Sequence, residues 1–274
     1  MKAKRFFHTL AASVMLAATA GLLTACTDND DNPTPPSDNN PWENVDLTFD
    51  LGTAKIGVKK VEGGTYSMQY ERDGQAQTVT GTLTDYYIAP VELTNGAWAA
   101  VMGQKPAGQT NDGDMYPVSN VTYEDITREG GFLDRLNALV KDQLPEGMTL
   151  QLPTEAQWHY AAQGGQKSKG YTYAGSNTLG DVAWYADNAN GTTHPVASKL
   201  PNELGLYDMS GNVWEYCSDW WADTADLPTE QGTDYAGPKT GTLRVNLGGS
   251  FKSVATSIPV THRDWLTPIC SIST

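Results

Sequence analysis

The hydrophobic and polar positions divide the chain into unlike parts. A basic head of Lys2, Lys4 and Arg5 precedes an uncharged run, Leu10 to Leu23, built mostly of Ala, Leu, Val and Met. The run falls short of the roughly 20 apolar residues a spanning helix needs. Its order of basic, apolar, then small residues is that of a secretory signal. Beyond residue 42 the apolar runs are short. Val58 to Met68, with Gly63-Gly64 inside it, predicts a strand, a glycine turn and a second strand, and Thr78 to Ile88 alternates as a strand does. Three helices are predicted. Thr94 caps the first, which ends at Met102 before Gly103. Thr122 with Asp125 opens the second; it carries Leu133, Leu136, Leu139 and Val140 at helical spacing and is interrupted by Gly130-Gly131. Thr154 with Gln157 forms a capping box for the third, which stops at Gly164-Gly165 and buries Trp158, Ala161 and Ala162. After Gly165 the pattern predicts turns, short strands and scattered aromatics, with no helix. No period of 20 to 50 residues recurs, which excludes solenoids and propellers. The class is α+β: a single compact, loop-rich domain with helices early and irregular β structure later.

Composition and charge sharpen this division. Leu23-Thr24-Ala25-Cys26 resembles a bacterial lipoprotein box, in which the cysteine becomes the first mature residue and carries lipid; an ordinary signal with an incidental cysteine is the alternative. Residues 27 to 32 are acidic and Pro33 to Pro41 is rich in Pro, Asn and Ser, which suits a solvated tether. The acidic run resembles the surface-export signal of some outer-membrane lipoproteins, and a plain linker accounts for it equally. The expected organisation is a signal at 1–25, a tether at 26–45 and a domain at 46–274, in a protein exported and anchored at the outer membrane or cell surface through Cys26. The formal charge is −14; without Lys2, Lys4 and Arg5 the chain holds 15 basic against 32 acidic residues, or −17. Such acidity argues against nucleic acid, whose binders need a basic footprint. It also argues against contact with anionic lipid beyond the anchor. With Cys26 assigned to lipid, Cys217 and Cys270 remain; a disulfide is permitted outside the cytoplasm, and two unpaired thiols are the simpler reading.

The chain has no phosphate loop, no Gly-x-Ser-x-Gly elbow and no His-Glu-x-x-His. His159, His194 and His262 are too widely spaced to form a metal motif by themselves. The stretch from Gly205 to Trp221 is the informative one. There Asp208 and Glu215 bracket a glycine turn, and the chain between them can aim the carbonyls of Gly211 and Val213 inward. Carboxylate and carbonyl oxygens at a tight bend suit calcium. A solvated acidic turn explains the same two carboxylates without a metal.

Several blocks, in order, resemble the formylglycine-generating enzyme (sulfatase-modifying factor) family. They are Val61–Tyr66, Pro90–Asn95, Tyr116–Tyr123, the Leu-Pro-Thr-Glu-Ala run at Leu152, the Gly-Asn-Val-Trp-Glu run within Gly205–Trp221, and Arg244–Phe251. The resemblance implies a calcium-stabilised domain related to the C-type lectin fold. It places one calcium site on Asp208, Gly211, Val213 and Glu215, and a second beginning at Asp187 and Asn188, whose remaining ligand loop is here cut to Asn190–Thr193. Enzymes of the family oxidise a substrate cysteine using two cysteines that hold Cu(I). Those positions fall on Ser253 and Ile258, neither of which replaces a soft thiolate, so copper is not expected. Trp214 and Ser250 match the family's pocket positions. His159 stands where the family commonly has Glu, which reads as a surface exchange. The usual final Gly-Phe-Arg strand is not found, so either an unpaired β edge or a chain cut short by a sequencing or genetic event is expected.

These readings imply a tethered, calcium-stabilised module that binds a protein, peptide or glycan at the cell surface, without oxidase activity. The alternatives are a formylglycine-generating-type oxidoreductase acting on protein cysteine, and a structural part of a surface assembly.

Overall fold

The computed structural model describes residues 10–11, 41–72 and 75–269. Cys26, the tether up to residue 40 and Cys270 lie outside the described residues. Among the described residues four small sheets replace any single large one. β1 (Leu10–Ala11) runs parallel to β7 (Leu150–Gln151). A second sheet holds β2 (Leu47–Asp50), β3 (Lys55–Val61) and β6 (Tyr86–Ile88), all antiparallel. A third pairs β4 (Gly64–Arg72) with β5 (Gln75–Leu83) from Gly64↔Leu83 to Arg72↔Gln75, and adds β9 (Glu230–Thr233) parallel to β5. The fourth has β10 (Arg244–Leu247) between β8 (Glu215–Trp220) and β11 (Asp264–Leu266).

The strands flanking Gly63-Gly64 form as the pattern predicts, but they do not pair with each other. β3 stays with β2 and β6, and β4 leaves for β5. Gly63 is the corner between two sheets. A Cβ there would lie 2.1 Å from the Leu83 carbonyl oxygen, so the corner closes only on glycine. β11 pairs only with β10 and is the outer strand of its sheet among the described residues; residues 270–274, on which the expected edge turns, lie outside them.

The helices follow their caps. In α1 (Asn95–Met102) the Thr94 hydroxyl accepts from the Ala97 amide, and Gly103 closes the helix at φ 85°. Full capping boxes start α2 (Tyr123–Thr127) at Thr122 and Asp125, and α4 (Glu155–Ala162) at Thr154 and Gln157. Between α2 and α3 (Phe132–Leu139) the Gly130-Gly131 break separates two helices rather than kinking one. α5 (Leu179–Val182) is a single turn that the sequence pattern had no length to reveal.

Two large apolar cores and two small clusters result among the described residues. One large core gathers Met68, Tyr70, Tyr86, Trp158, Cys217 and Leu247; the other gathers Phe49, Ile56, Trp98, Phe132, Leu136 and Tyr216, with Trp98 stacked on Phe132 at 4.9 Å. Every residue of α4 is buried. The expectation of a surface exchange at His159 is therefore corrected: the ring is fully buried, tilted against Tyr70 at 5.1 Å, with Nδ1 2.7 Å from the Val260 carbonyl oxygen. α4 is enclosed because β8 and the segment around Val260 and Arg263 pack on it, which its sequence period alone does not specify.

Candidate functional site

The chain entering β8 is wound by left-handed residues: Gly205, Asp208, Gly211 and Asn212 all have φ between 56° and 83°. At Gly211 a Cβ would sit 2.3 Å from the Trp184 carbonyl oxygen, so no other residue fits. This winding buries Asp208 and half-buries Glu215, beside a third acid. Asp208 Oδ2 accepts from the Ala197 amide at 2.7 Å, and Glu215 Oε2 accepts from the Trp158 indole at 3.0 Å. Glu92 comes in from the segment before α1. Its Oε1 accepts from the Val213 amide at 2.9 Å and its Oε2 from Asn212 Nδ2 at 2.7 Å. The carbonyls of Gly211 and Val213 accept no hydrogen bond from the described residues.

Burial, and then the charges of Asp208 and Glu215, push the Glu92 carboxyl well above its ordinary range. Burial raises Asp208 to about 7, against the Ala197 amide, which favours the charged form. No ion pair compensates Glu92 or Asp208 among the described residues. Two carboxylates and two bare carbonyls are a donor set that fits calcium. Three acid side chains on one point would have stood out, but no group of three or more His, Cys, Asp or Glu closes tightly enough to hold a metal among the described residues. The fit therefore rests on the mixed set. Glu92 was missed by sequence reasoning; its one signal is a lone charge in the apolar run Ala89-Pro90-Val91-Glu92-Leu93.

Asp187 and Asn188 are placed differently. Asp187 is exposed, and the Asn188 side chain is spent on its own turn: Oδ1 accepts from the Tyr185 amide and Nδ2 donates to the Ala183 carbonyl.

Gly249 stands between the two positions where the family's copper thiolates would lie. A Cβ on it would meet Ile258 Cγ1 at 3.0 Å and Ser253 Oγ at 3.5 Å. Ser253 Oγ accepts from the Ser250 amide at 2.9 Å, which makes it a turn hydroxyl. Ile258 is buried in an apolar cluster with Leu179 and Ala183. Ser250 belongs to the same turn. Trp214 lines an apolar cleft of about 90 Å³ with Tyr216, Ile126, Phe132 and Leu133, and Glu92 and Glu215 are also in its lining. Phe251, next to Ser250, donates its amide to the Asn212 carbonyl at 2.8 Å, so the Ser250 turn packs on the segment that carries Trp214.

A second buried acidic cluster sits under α4. Arg263 holds Glu155 with Nε and Nη2, the latter at 2.9 Å, and its guanidinium lies over Trp221 at 4.2 Å and Tyr70 at 4.8 Å. Burial favours a neutral Glu155, but Arg263 overrides it and holds the carboxyl at about 2. Nearby Asp219 accepts from the Glu155 amide; burial, then the Glu155 charge, raises it to about 7. Cys217 is a free thiol, fully buried, and burial pushes it well up, so it is not poised as a nucleophile.

The chain resembles several known proteins. It is 29% identical over 292 residues to the "Chaperone protein LppX" of Paenibacillus barcinonensis, covering 91% of this chain and 90% of that one. It is 33% identical over 174 residues to the formylglycine-generating enzyme of Streptomyces coelicolor, covering 56% of this chain; the chain spans about half the length of that relative, 50%. Among solved structures, Treponema denticola variable protein 1 superposes with a TM-score of 0.67 at 29% identity, covering 81% of this chain and 93% of that one. PvdO from Pseudomonas aeruginosa, at 19% identity and a TM-score of 0.61, shares the fold. No helix among the described residues is long and apolar enough to cross a membrane. The family defined by the sulfatase-modifying factor enzyme 1-like domain matches residues 55–274, so the chain belongs to the FGE-sulfatase family.

Proposed function

We propose that this chain is a non-catalytic member of the family: an exported protein, anchored by lipid on Cys26, whose calcium-stabilised domain binds a protein, peptide or glycan. One observation carries the non-catalytic part. The two positions around Gly249 hold a hydroxyl already engaged in a turn and a buried isoleucine. Copper(I) chemistry needs two thiolates that converge, and a hydroxyl and a methyl group supply neither charge nor softness. Cys217 is no substitute, being sealed in the core. Calcium on Asp208, Glu215 and the carbonyls of Gly211 and Val213 would brace the loop before β8. It would neutralise buried charge and act structurally, away from any reacting atom. Similarity to a chaperone over 91% of the chain supports a protein or peptide as the partner.

The test is direct. The full-length protein is incubated with Cu(I), oxygen and a cysteine-containing sulfatase peptide, and the peptide is assayed for aldehyde by mass spectrometry. No aldehyde is expected. Aldehyde formed at a rate proportional to protein concentration would replace this reading with the oxidoreductase one.

A further inference from the structure

We propose that the apolar cleft between α2, α3 and the Val213–Tyr216 segment takes one lysine side chain of a partner polypeptide, with its methylene stem against Ile126, Phe132 and Trp214 and its ammonium on Glu92. Size selects the kind of occupant. The cleft holds about 90 Å³, whereas pockets for whole small molecules run from about 300 Å³ upward. One side chain fills it, and a metabolite does not fit.

Wall chemistry selects the side chain. Most of the lining is aliphatic or aromatic, yet Glu92 and Glu215 are part of it. A leucine or methionine would satisfy the apolar walls and leave Glu92 without a counter-charge. A lysine buries four methylenes along such a wall and carries its charge to the far end. Trp214, Tyr216 and Phe132 put aromatic rings in the lining, and aromatic surroundings tolerate a nearby cation.

Charge supports the same choice. Glu92 is buried and has no ion pair among the described residues. A divalent cation held by Asp208 and Glu215 would offset two carboxylates and leave the third to be matched from the cleft. The chain's excess of 32 acidic over 18 basic residues draws basic segments toward it from a distance. The same field disfavours a second copy of this chain.

The proposal deepens the binding-module reading and rests on it. Aldehyde formation would sink that reading, whereas the following test can sink this one alone. Full-length protein in calcium-containing buffer is titrated with acetyl-Gly-Gly-Lys-Gly-Gly-amide, with the same peptide carrying norleucine, and with n-butylamine, followed by saturation-transfer NMR. The lysine peptide should bind about tenfold or more tightly than the norleucine peptide, with its side-chain methylenes most strongly saturated. Leu133→Trp, which fills the cleft from half-buried α3, should abolish that binding. Glu92→Gln should reduce lysine binding to the norleucine level. Equal binding of lysine and norleucine overturns the proposal in favour of an apolar pocket. Butylamine binding as tightly as the lysine peptide overturns it in favour of a free-amine site. No saturation from the lysine peptide, or binding that survives Leu133→Trp, also overturns it.

Discussion

Two acidic clusters lie buried in this domain, and they are neutralised differently. Under α4, Glu155 is gripped by Arg263, and its carboxyl sits at about 2 despite full burial. Before β8, Glu92 and Asp208 are equally buried and meet only N–H donors, and both are pushed upward. The first cluster carries its own cation within the chain. Among the described residues Glu92 and Asp208 have no such cation, so an ionised state of these two calls for one from outside. A protein fixes a structural ion pair by supplying both halves, and it exposes a ligand requirement where it supplies one.

The comparison can be broken most forcefully at Arg263. Arg263→Leu strands Glu155 as a buried, unpaired carboxylate, and urea unfolding should register a loss of about 3–5 kcal/mol. The double variant Glu155→Met with Arg263→Leu should recover most of it, since two apolar groups replace a pair whose desolvation cost nearly offsets its attraction. If the single variant were as stable as the parent, the contrast between the clusters would be empty.

Calcium should give the next largest effect, and only on the second cluster. At a hundredfold excess over its dissociation constant a ligand bound by the folded state alone adds about 2.7 kcal/mol. The melting temperature should rise with calcium and fall back with EDTA. Asp208→Asn should remove most of the response, and Arg263→Leu should keep it. An EDTA-insensitive melting curve would count against the Asp208 and Glu215 site.

The smallest effect is in pH. Asp208 and Asp219 both sit at about 7 in the folded chain, against about 4 when unfolded. The folded state therefore holds more protons between those values, and stability falls as pH rises from 4 through 7. Calcium-free protein should melt higher at pH 5 than at pH 8, by about 3 °C or more. Excess calcium should remove the Asp208 share and leave the share that Asp219→Asn removes. Glu155 runs the other way: its contribution is present above its unfolded value near 4 and fades as pH falls toward 2. A calcium-free melting temperature that rises from pH 5 to pH 8 would contradict the upward shifts.

Much of this was legible without coordinates. The caps at Thr94, Thr122 and Thr154 are local hydrogen bonds between residues three apart, so each helix start could be read from a few letters. The glycine turn between β3 and β4, the α+β class and the Asp208 to Glu215 loop were local in the same sense. The block pattern also led to the family, because several short motifs in fixed order are hard to meet by accident. Other features were not local. His159 reads as an exchange on a helix face until β8 and the segment around Val260 enclose that face. Glu92 lies more than a hundred residues from Val213 in sequence and meets it only after the first sheet and the loop before β8 are packed together. Trp214 and Ser250 lie 36 residues apart, and only the packing of the Gly248–Phe251 turn on Gly211 and Asn212 brings their segments together. The sequence by itself determined where the helices start, which residues wind the loop before β8 and which family the chain resembles, since short-range hydrogen bonding and glycine geometry act within a few residues. Only the tertiary structure decided which buried acid is paired with a cation and which, among the described residues, meets only N–H donors, because burial and charge pairing are set by segments distant in sequence.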